Sequence, residues 1–297
     1  MHSDDEGSLA GPSSSELLGF PRDARVLIVN CDDLGLHEAV NAAVVEAVNR
    51  GVASSASLMV PAPAAAHAMG LLAADSDLPF GVHLTLTRDG PAHRWAPVAP
   101  AEQVPSLVGA DGLLLPSAAV PELLAGARIE DVERELRTQL AVVARAGLSP
   151  THLDWHVMAD GGRDDIRELT VQLALEHGLA ARVWLRPGRQ AARARGLPVV
   201  DHDFLDSFAL PLQGKAERYV RLVRALPTGL SEWAVHPAVD PTPVDVDLDW
   251  AVRRSDYDFL ISAEADRVLA DEAVMVIDYR RLQRAWAGNP GATSHRS

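Results

Sequence analysis

The 297-residue chain is poor in cysteine, in basic charge and in long apolar runs, and each shortage removes a class of function. Its single cysteine, Cys31, cannot form an internal disulfide, so the fold must rest on a packed core, and the thiol fits a reducing compartment. No stretch approaches the roughly 18 apolar residues that cross a bilayer, so no membrane partner is expected. Lysine and arginine number 27 against 41 acidic residues, a formal net charge of −14. Such a chain repels polyphosphate, and a nucleic-acid partner is not expected. Residues 1–22 lack the basic and apolar regions of a secretory signal. Acidic and rich in serine and glycine, they are expected to form a disordered leader. These shortages together predict a soluble, cytoplasmic protein.

What is present is ordinary globular composition, 47% hydrophobic and 23% charged, at a length that one α/β barrel would use. The organising stretch is Val26-Leu-Ile-Val-Asn-Cys-Asp-Asp-Leu-Gly35. Val26 to Val29 reads as a strand buried on both faces, as in a parallel sheet. At its end stand Asp32 and Asp33, two carboxylates that are costly to bury without a cation. Further strands are predicted over 52–60, 80–87, 151–156, 181–186, 197–200, 230–236 and 274–277. Helices are predicted over 37–50, 64–74, 129–146, 164–177, 216–226, 250–261 and 280–287, with a small helix near 189–195. This alternation argues for parallel strands and a closed or nearly closed barrel over residues 23–287. No glycine-rich phosphate-binding turn follows the first strand, which disfavours an open nucleotide-binding sheet. Residues 88–127 break the rhythm and are expected to be an insertion after the third strand, over one end of the sheet. Residues 288–297 are expected to be a flexible tail.

Three predicted strands end in metal-ligand vocabulary: Asp32 and Asp33, then His83, then His152, Asp154 and His156. In a barrel the carboxyl ends of all strands share one rim, so one carboxylate and two imidazoles can converge there. The bland alternatives are real. A strand histidine is ordinarily a core or rim residue, and paired aspartates often cap the next helix. Cys31 is read as inert packing.

The segments 29–35, 55–60, Gly81-Val-His-Leu-Thr-Leu-Thr87, Pro150-Thr-His-Leu-Asp-Trp-His156 and Glu232-Trp-Ala-Val-His-Pro237 occur in the order seen in the YdjC/ChbG-type carbohydrate deacetylases. The chain resembles that family from about Val26 to Tyr279. The resemblance implies a distorted TIM-like (β/α) barrel that holds one divalent metal ion, magnesium or zinc, and removes the acetyl group from an N-acetylated sugar. It implies Asp33, His83 and His156 as ligands, Asp32 as general base with its side chain pointing away from the metal, and His236 as general acid. His152 or Asp154 is expected to orient the ligand sphere. Arg186, in Leu-Arg-Pro, is expected to hold Asp32 as a comparable arginine does in distant polysaccharide deacetylases. Trp155 and Trp95 are candidates to stack on a sugar ring, and the knot Asp201, His202 and Asp203 has no assigned role.

This chain departs from the family after His156. Many members have further histidines there, whereas this sequence runs Val157-Met-Ala-Asp-Gly-Gly162, which bears on the substrate. Leu34 and Ala238 are milder departures. Two other classes remain open at this point, a mononuclear iron oxygenase using the same Asp/His/His set and a non-catalytic sugar-binding barrel. Nothing in the sequence specifies an oligomer, and a homodimer is compatible with it.

Overall fold

A computed structural model describes residues 12–90, 93–202, 204–239 and 248–289. Its frame is an all-parallel sheet of eight strands: β1 (Arg25–Leu34), β2 (Ser55–Leu58), β3 (Phe80–Leu84), β4 (His152–Trp155), β5 (Ala180–Ala181), β6 (Leu205–Asp206), β7 (Gly229–Val235) and β8 (Val274–Val276). Their order is β5-β4-β3-β2-β1-β7-β6, and β8 pairs with β1. β1 uses one edge twice: its first half pairs with β8 and its second half with β2. The other edge pairs with β7 from Arg25 to Cys31. The sheet curls into a half-barrel, and the two end strands, each two residues long, do not pair with each other. Trp184, just beyond β5, and Phe204, just before β6, stack across that gap at 3.8 Å. The barrel expectation therefore holds in its distorted, incomplete form.

β1 is buried along almost its whole length because helices cover the outside and side chains fill the inside. The helix Ile129–Arg145 shows how the sequence dictates this packing. Val132, Leu136, Leu140 and Val143 fall on one face at helical spacing, and all four are buried. Gly35 follows β1 at φ 102°, a conformation that side chains disfavour. A Cβ there would also stand 3.0 Å from the Met59 carbonyl oxygen, so the turn from β1 toward the next helix needs glycine.

Several expectations change. Residues 12–22 are not loose: Ser14–Leu17 is a short helix with a Ser13/Glu16 capping box, and Ser14 and Ser15 are fully buried. Asp201 accepts from the Ser14 and Ser15 backbone N–H groups, which gives that aspartate a structural role. His202 bonds the Thr228 carbonyl, while Asp203 and residues 1–11 lie outside the described residues. The tail expected from 288 is described only to Asn289. Residues 197–200 form no strand; the pairing partner of β7 is β6 instead. A helix over Ala263–Asp271, capped by Ser262, went unpredicted. The insertion is folded over its described residues, with Trp95, Val104, Leu107 and Leu114 buried in the main core, and Ser106 ties it to Asp131 of the helix Ile129–Arg145. Glu135 of that helix accepts the Val98 and Ala99 N–H groups and pins the segment down. No helix among the described residues is long and apolar enough to cross a membrane.

Candidate metal centre

The polar residues gather at the carboxyl ends of the strands, the rim where parallel α/β sheets place their sites. The Asp32-Asp33 pair reaches it through a bulge. Cys31 faces Ala56 and Leu34 faces Leu58, so β1 carries one residue more than β2 in that interval. Asp33 takes up the excess at φ 67°, a left-handed conformation that aspartate tolerates better than most residues. In a regular strand the two side chains would point to opposite faces. Here both enter one cavity: His83 Nε2 lies 3.4 Å from Asp33 Oδ1 and 3.9 Å from Asp32 Oδ2. The expectation that Asp32 points elsewhere is corrected accordingly.

Asp33, His83 and His156 come together as the motif reading requires. One ligand atom from each lies within 4.8 Å of the others, and all three residues are buried. His83 donates through Nδ1 to Asp154 Oδ1 at 3.0 Å, which leaves Nε2 facing Asp33. His156 faces Asp33 Oδ1 through Nδ1 at 3.1 Å and donates through Nε2 to Asp89 at 2.7 Å. Each imidazole thus has a carboxylate on the nitrogen turned away, the arrangement that orients metal-bound histidines. Asp154 fills the orienting role expected of it. His152 does not: it lies behind Asp154, stacked on the Tyr279 ring at 3.6 Å and bonded to Thr151. A Cβ at Gly81 would meet its ring at 2.5 Å, so glycine on β3 makes room for it.

A second grouping, Asp32, His83 and Asp154, is also close enough to hold a metal. It already holds a cation. Arg182 binds Asp32 with both terminal nitrogens at 2.8 Å, reaches Asp154 at 3.1 Å and bonds Glu232 through Nε at 2.9 Å. Arg186, expected to hold Asp32, is exposed instead and begins the helix Arg186–Ala194, with Pro187 in its first turn. The strand ends at Ala181, so the arginine that points inward comes four residues earlier.

Burial works against the Asp32 charge, yet Arg182, with His83, outweighs it and holds the carboxyl below its usual range. Asp33, equally buried, is held further down by Arg253, His156 and His83. Burial disfavours charge on the histidines too, but Asp154 and Asp32 push His83 up to about 10. His156 is pushed up to about 9 by Asp33 and Asp89 against the same burial. Asp32, Asp33, Asp89, Asp154 and Glu232 share the cluster with two guanidinium groups, Arg182 and Arg253. The remaining negative charge is what a divalent cation would neutralise, and the donor set fits one.

Neutral imidazoles bind metals, so binding near pH 7 must displace protons from both histidines. The expected release is two protons per metal. Below the raised values of about 9 and about 10, apparent affinity should therefore rise steeply with pH, by about a hundredfold per unit where both protons are displaced. Titration calorimetry in buffers of different ionisation enthalpy counts the protons.

Asp89 and Arg253 were not legible in the sequence. Asp89 comes from the start of the insertion, and Arg253 arrives from the helix Leu248–Leu260 to bind Asp33 Oδ2 at 2.6 Å. No local motif marks either. Asp89→Asn is expected to weaken metal binding about 10–100-fold with the fold intact, as read by metal titration. His236 lines the same cavity of about 330 Å³, with Trp155, Trp184 and Phe208 on the aromatic side. Trp155 is only 5% exposed and donates to Thr170, so it packs while lining the wall. Trp95 is core, donating to the Thr87 carbonyl, and is no sugar platform.

Comparison with known proteins agrees with this geometry. A family profile described as YdjC-like protein matches residues 26–271. A carbohydrate deacetylase of Geobacillus stearothermophilus is 33% identical over 262 residues, covering 88% of this chain and 99% of that one. A carbohydrate deacetylase of Thermus thermophilus is 35% identical over 83% of this chain and 90% of its own. A chitooligosaccharide deacetylase of Serratia marcescens is 32% identical over 72% and 82%. A solved structure from Enterococcus faecalis, described as a cellobiose-phosphate cleavage protein, superposes with a TM-score of 0.74 at 24% identity, over 87% of this chain and 99% of that one.

Proposed function

The chain belongs to the YdjC-like family, and from that premise and the buried Asp/His/His cluster we propose that it is a metal-dependent amide hydrolase that removes the acetyl group from an N-acetylated amino sugar or a metabolite carrying one. The observation that carries the reading is the placement of a carboxylate and an imidazole beside the ligand set without belonging to it. Asp32 is fixed by Arg182, and His236 reaches the cavity from the end of β7. An iron oxygenase would need the ligands but has no use for this flanking pair.

Asp33, His83 and His156 would hold the cation. When bound, it lowers the pKa of its water and polarises the acetyl carbonyl. Asp32, ionised and oriented by Arg182, takes the proton from the attacking water as that oxygen bonds to the acetyl carbon. His236 gives a proton to the sugar nitrogen as the C–N bond breaks, so acetate and a free amine leave. The cavity takes one sugar ring with its acetamide, and aromatic side chains offer the apolar face that a pyranose presents to protein. Zinc and magnesium are the cations to test first, with two imidazoles favouring zinc.

The test is acetate release across a panel of N-acetyl sugars, each with and without chelator. Release that chelation stops and added metal restores supports the proposal. Sugar binding with no acetate formed, metal present, would favour the non-catalytic reading.

A further inference from the structure

The loop after the ligand His156 is held in a backbone that side chains disfavour. Val157 and Asp160 sit at φ 64° and 51°, and Gly161 and Gly162 at 74° and 73°. Glycine suits the last two, but a β-branched residue is a poor occupant of that region. The Met158 N–H donates to the His156 carbonyl at 2.7 Å across Val157, closing a tight three-residue turn of the strained kind. Burial does not offset the strain. Val157 is 54% exposed, more than any other large apolar side chain among the described residues. Its neighbours do the holding: Met158 is buried in the core, and Asp160 accepts from the Trp184 and Leu185 N–H groups at 2.8 and 3.0 Å. The loop is thus fixed from behind, and Val157 lines the cavity beside His156. Strain kept beside a site, where glycine would relieve it, points to a side chain retained for what it contacts.

Phe208 is a second exposed apolar group on that cavity. It lies on the turn Ser207–Ala209, its ring 4.6 Å from that of His236, with the Arg253 guanidinium 5.2 Å from its centre. The fold gathers the apolar lining at one place. Val157 and Trp184 follow β4 and β5, Phe204 and Phe208 flank β6, and β5 and β6 edge the open side of the half-barrel. The polar lining groups Asp89, His93, Ser117 and Asp249 come instead from the insertion and the helix Leu248–Leu260. We propose that Val157 and Phe208 are specificity residues that select an amino sugar carrying an apolar aglycone. The proposal deepens the deacetylase reading and rests on it for the reacting sugar. Val157 directly follows a metal ligand and Phe208 lies against the proposed acid, so the group they meet is bonded close to the acetamide. In a 2-acetamido sugar that group is the substituent on the adjacent glycosidic carbon. A second, hydroxyl-rich sugar suits these side chains less well. Few partners there would replace the water on its hydroxyls, with Asp206 already accepting from the Phe208 N–H.

The probes are the methyl and octyl glycosides of N-acetylglucosamine, kept below micelle-forming concentrations. They are titrated into zinc-loaded protein carrying Asp32→Asn, so that binding is read apart from turnover. The octyl glycoside is expected to bind about tenfold tighter, and Val157→Gly or Phe208→Ser to cut that preference to about twofold. Phe208→Leu, which keeps the apolar surface, should retain it. Val157→Gly should keep its metal and melt at or above its parent, since it sheds a strained turn and no core contact. Equal affinity for the two glycosides, or a preference that both variants keep, overturns the proposal. So does a Val157→Gly protein that melts well below its parent, because the valine would then serve the fold. An octyl preference that the variants lose, with no acetate released from either glycoside by the wild type, supports the apolar wall and removes the deacetylase reading. The two failures are therefore distinguishable.

Discussion

Asp32→Asn lowers turnover by about 10²–10⁴-fold while the metal content stays at one per chain, because the substitution removes a proton acceptor and no ligand. The amide keeps the size of the carboxyl, so Arg182, Asn30 and Ser57 stay in place around it. Both Asp32 oxygens are engaged by Arg182, and its approach to His83 Nε2, at 3.9 Å, is longer than that of Asp33 at 3.4 Å. Metal analysis of the purified variant beside acetate-release kinetics separates the possibilities. Loss of the metal would move Asp32 into the ligand set, and retention of wild-type rates would remove it from the chemistry. The parallel change His83→Ala should strip the metal.

The largest effect on stability is expected for Arg182→Met. The methionine fills much of the volume but leaves Asp32, Asp154 and Glu232, all at most 3% exposed, without their shared cation. Removing one partner of a buried pair costs about 3–5 kcal/mol, and whole domains are stable by only about 5–15 kcal/mol. With three carboxylates on one guanidinium, the variant should be largely unfolded or melt far below the wild type in thermal denaturation. Arg182→Lys keeps the charge but not the fork that engages three partners, so it should fold and turn over slowly. Arg186→Ala, at the exposed start of its helix, should match the wild type in both measurements. A wild-type melting temperature for Arg182→Met would mean that the carboxylates do not depend on this arginine.

These two arginines show where reading the chain stops. The Leu-Arg-Pro turn looks like a strand end, but Pro187 opens a helix, and the strand stops at Ala181. A shift of a few residues at an irregular end decides which side chain turns inward, and no local pattern encodes it. The same holds for Arg253 and Asp89. The first binds a residue 220 positions away, and the second belongs to the insertion, where periodicity gives no register.

Parallel strands alternating with helices, and the gathering of aspartates and histidines at one rim, followed from the sequence pattern, while the particular set Asp33, His83 and His156 came from the motifs shared with the family. Buried strands declare themselves as apolar runs, and a parallel sheet must bring the carboxyl ends of its strands to one rim. Tertiary structure alone decided the bulge that turns Asp32 and Asp33 into one cavity, the choice of Arg182, and the carboxylate that Asp89 sets behind His156. Each depends on side-chain reach and on a backbone angle at a single residue. Those are fixed by what packs against them from distant parts of the chain.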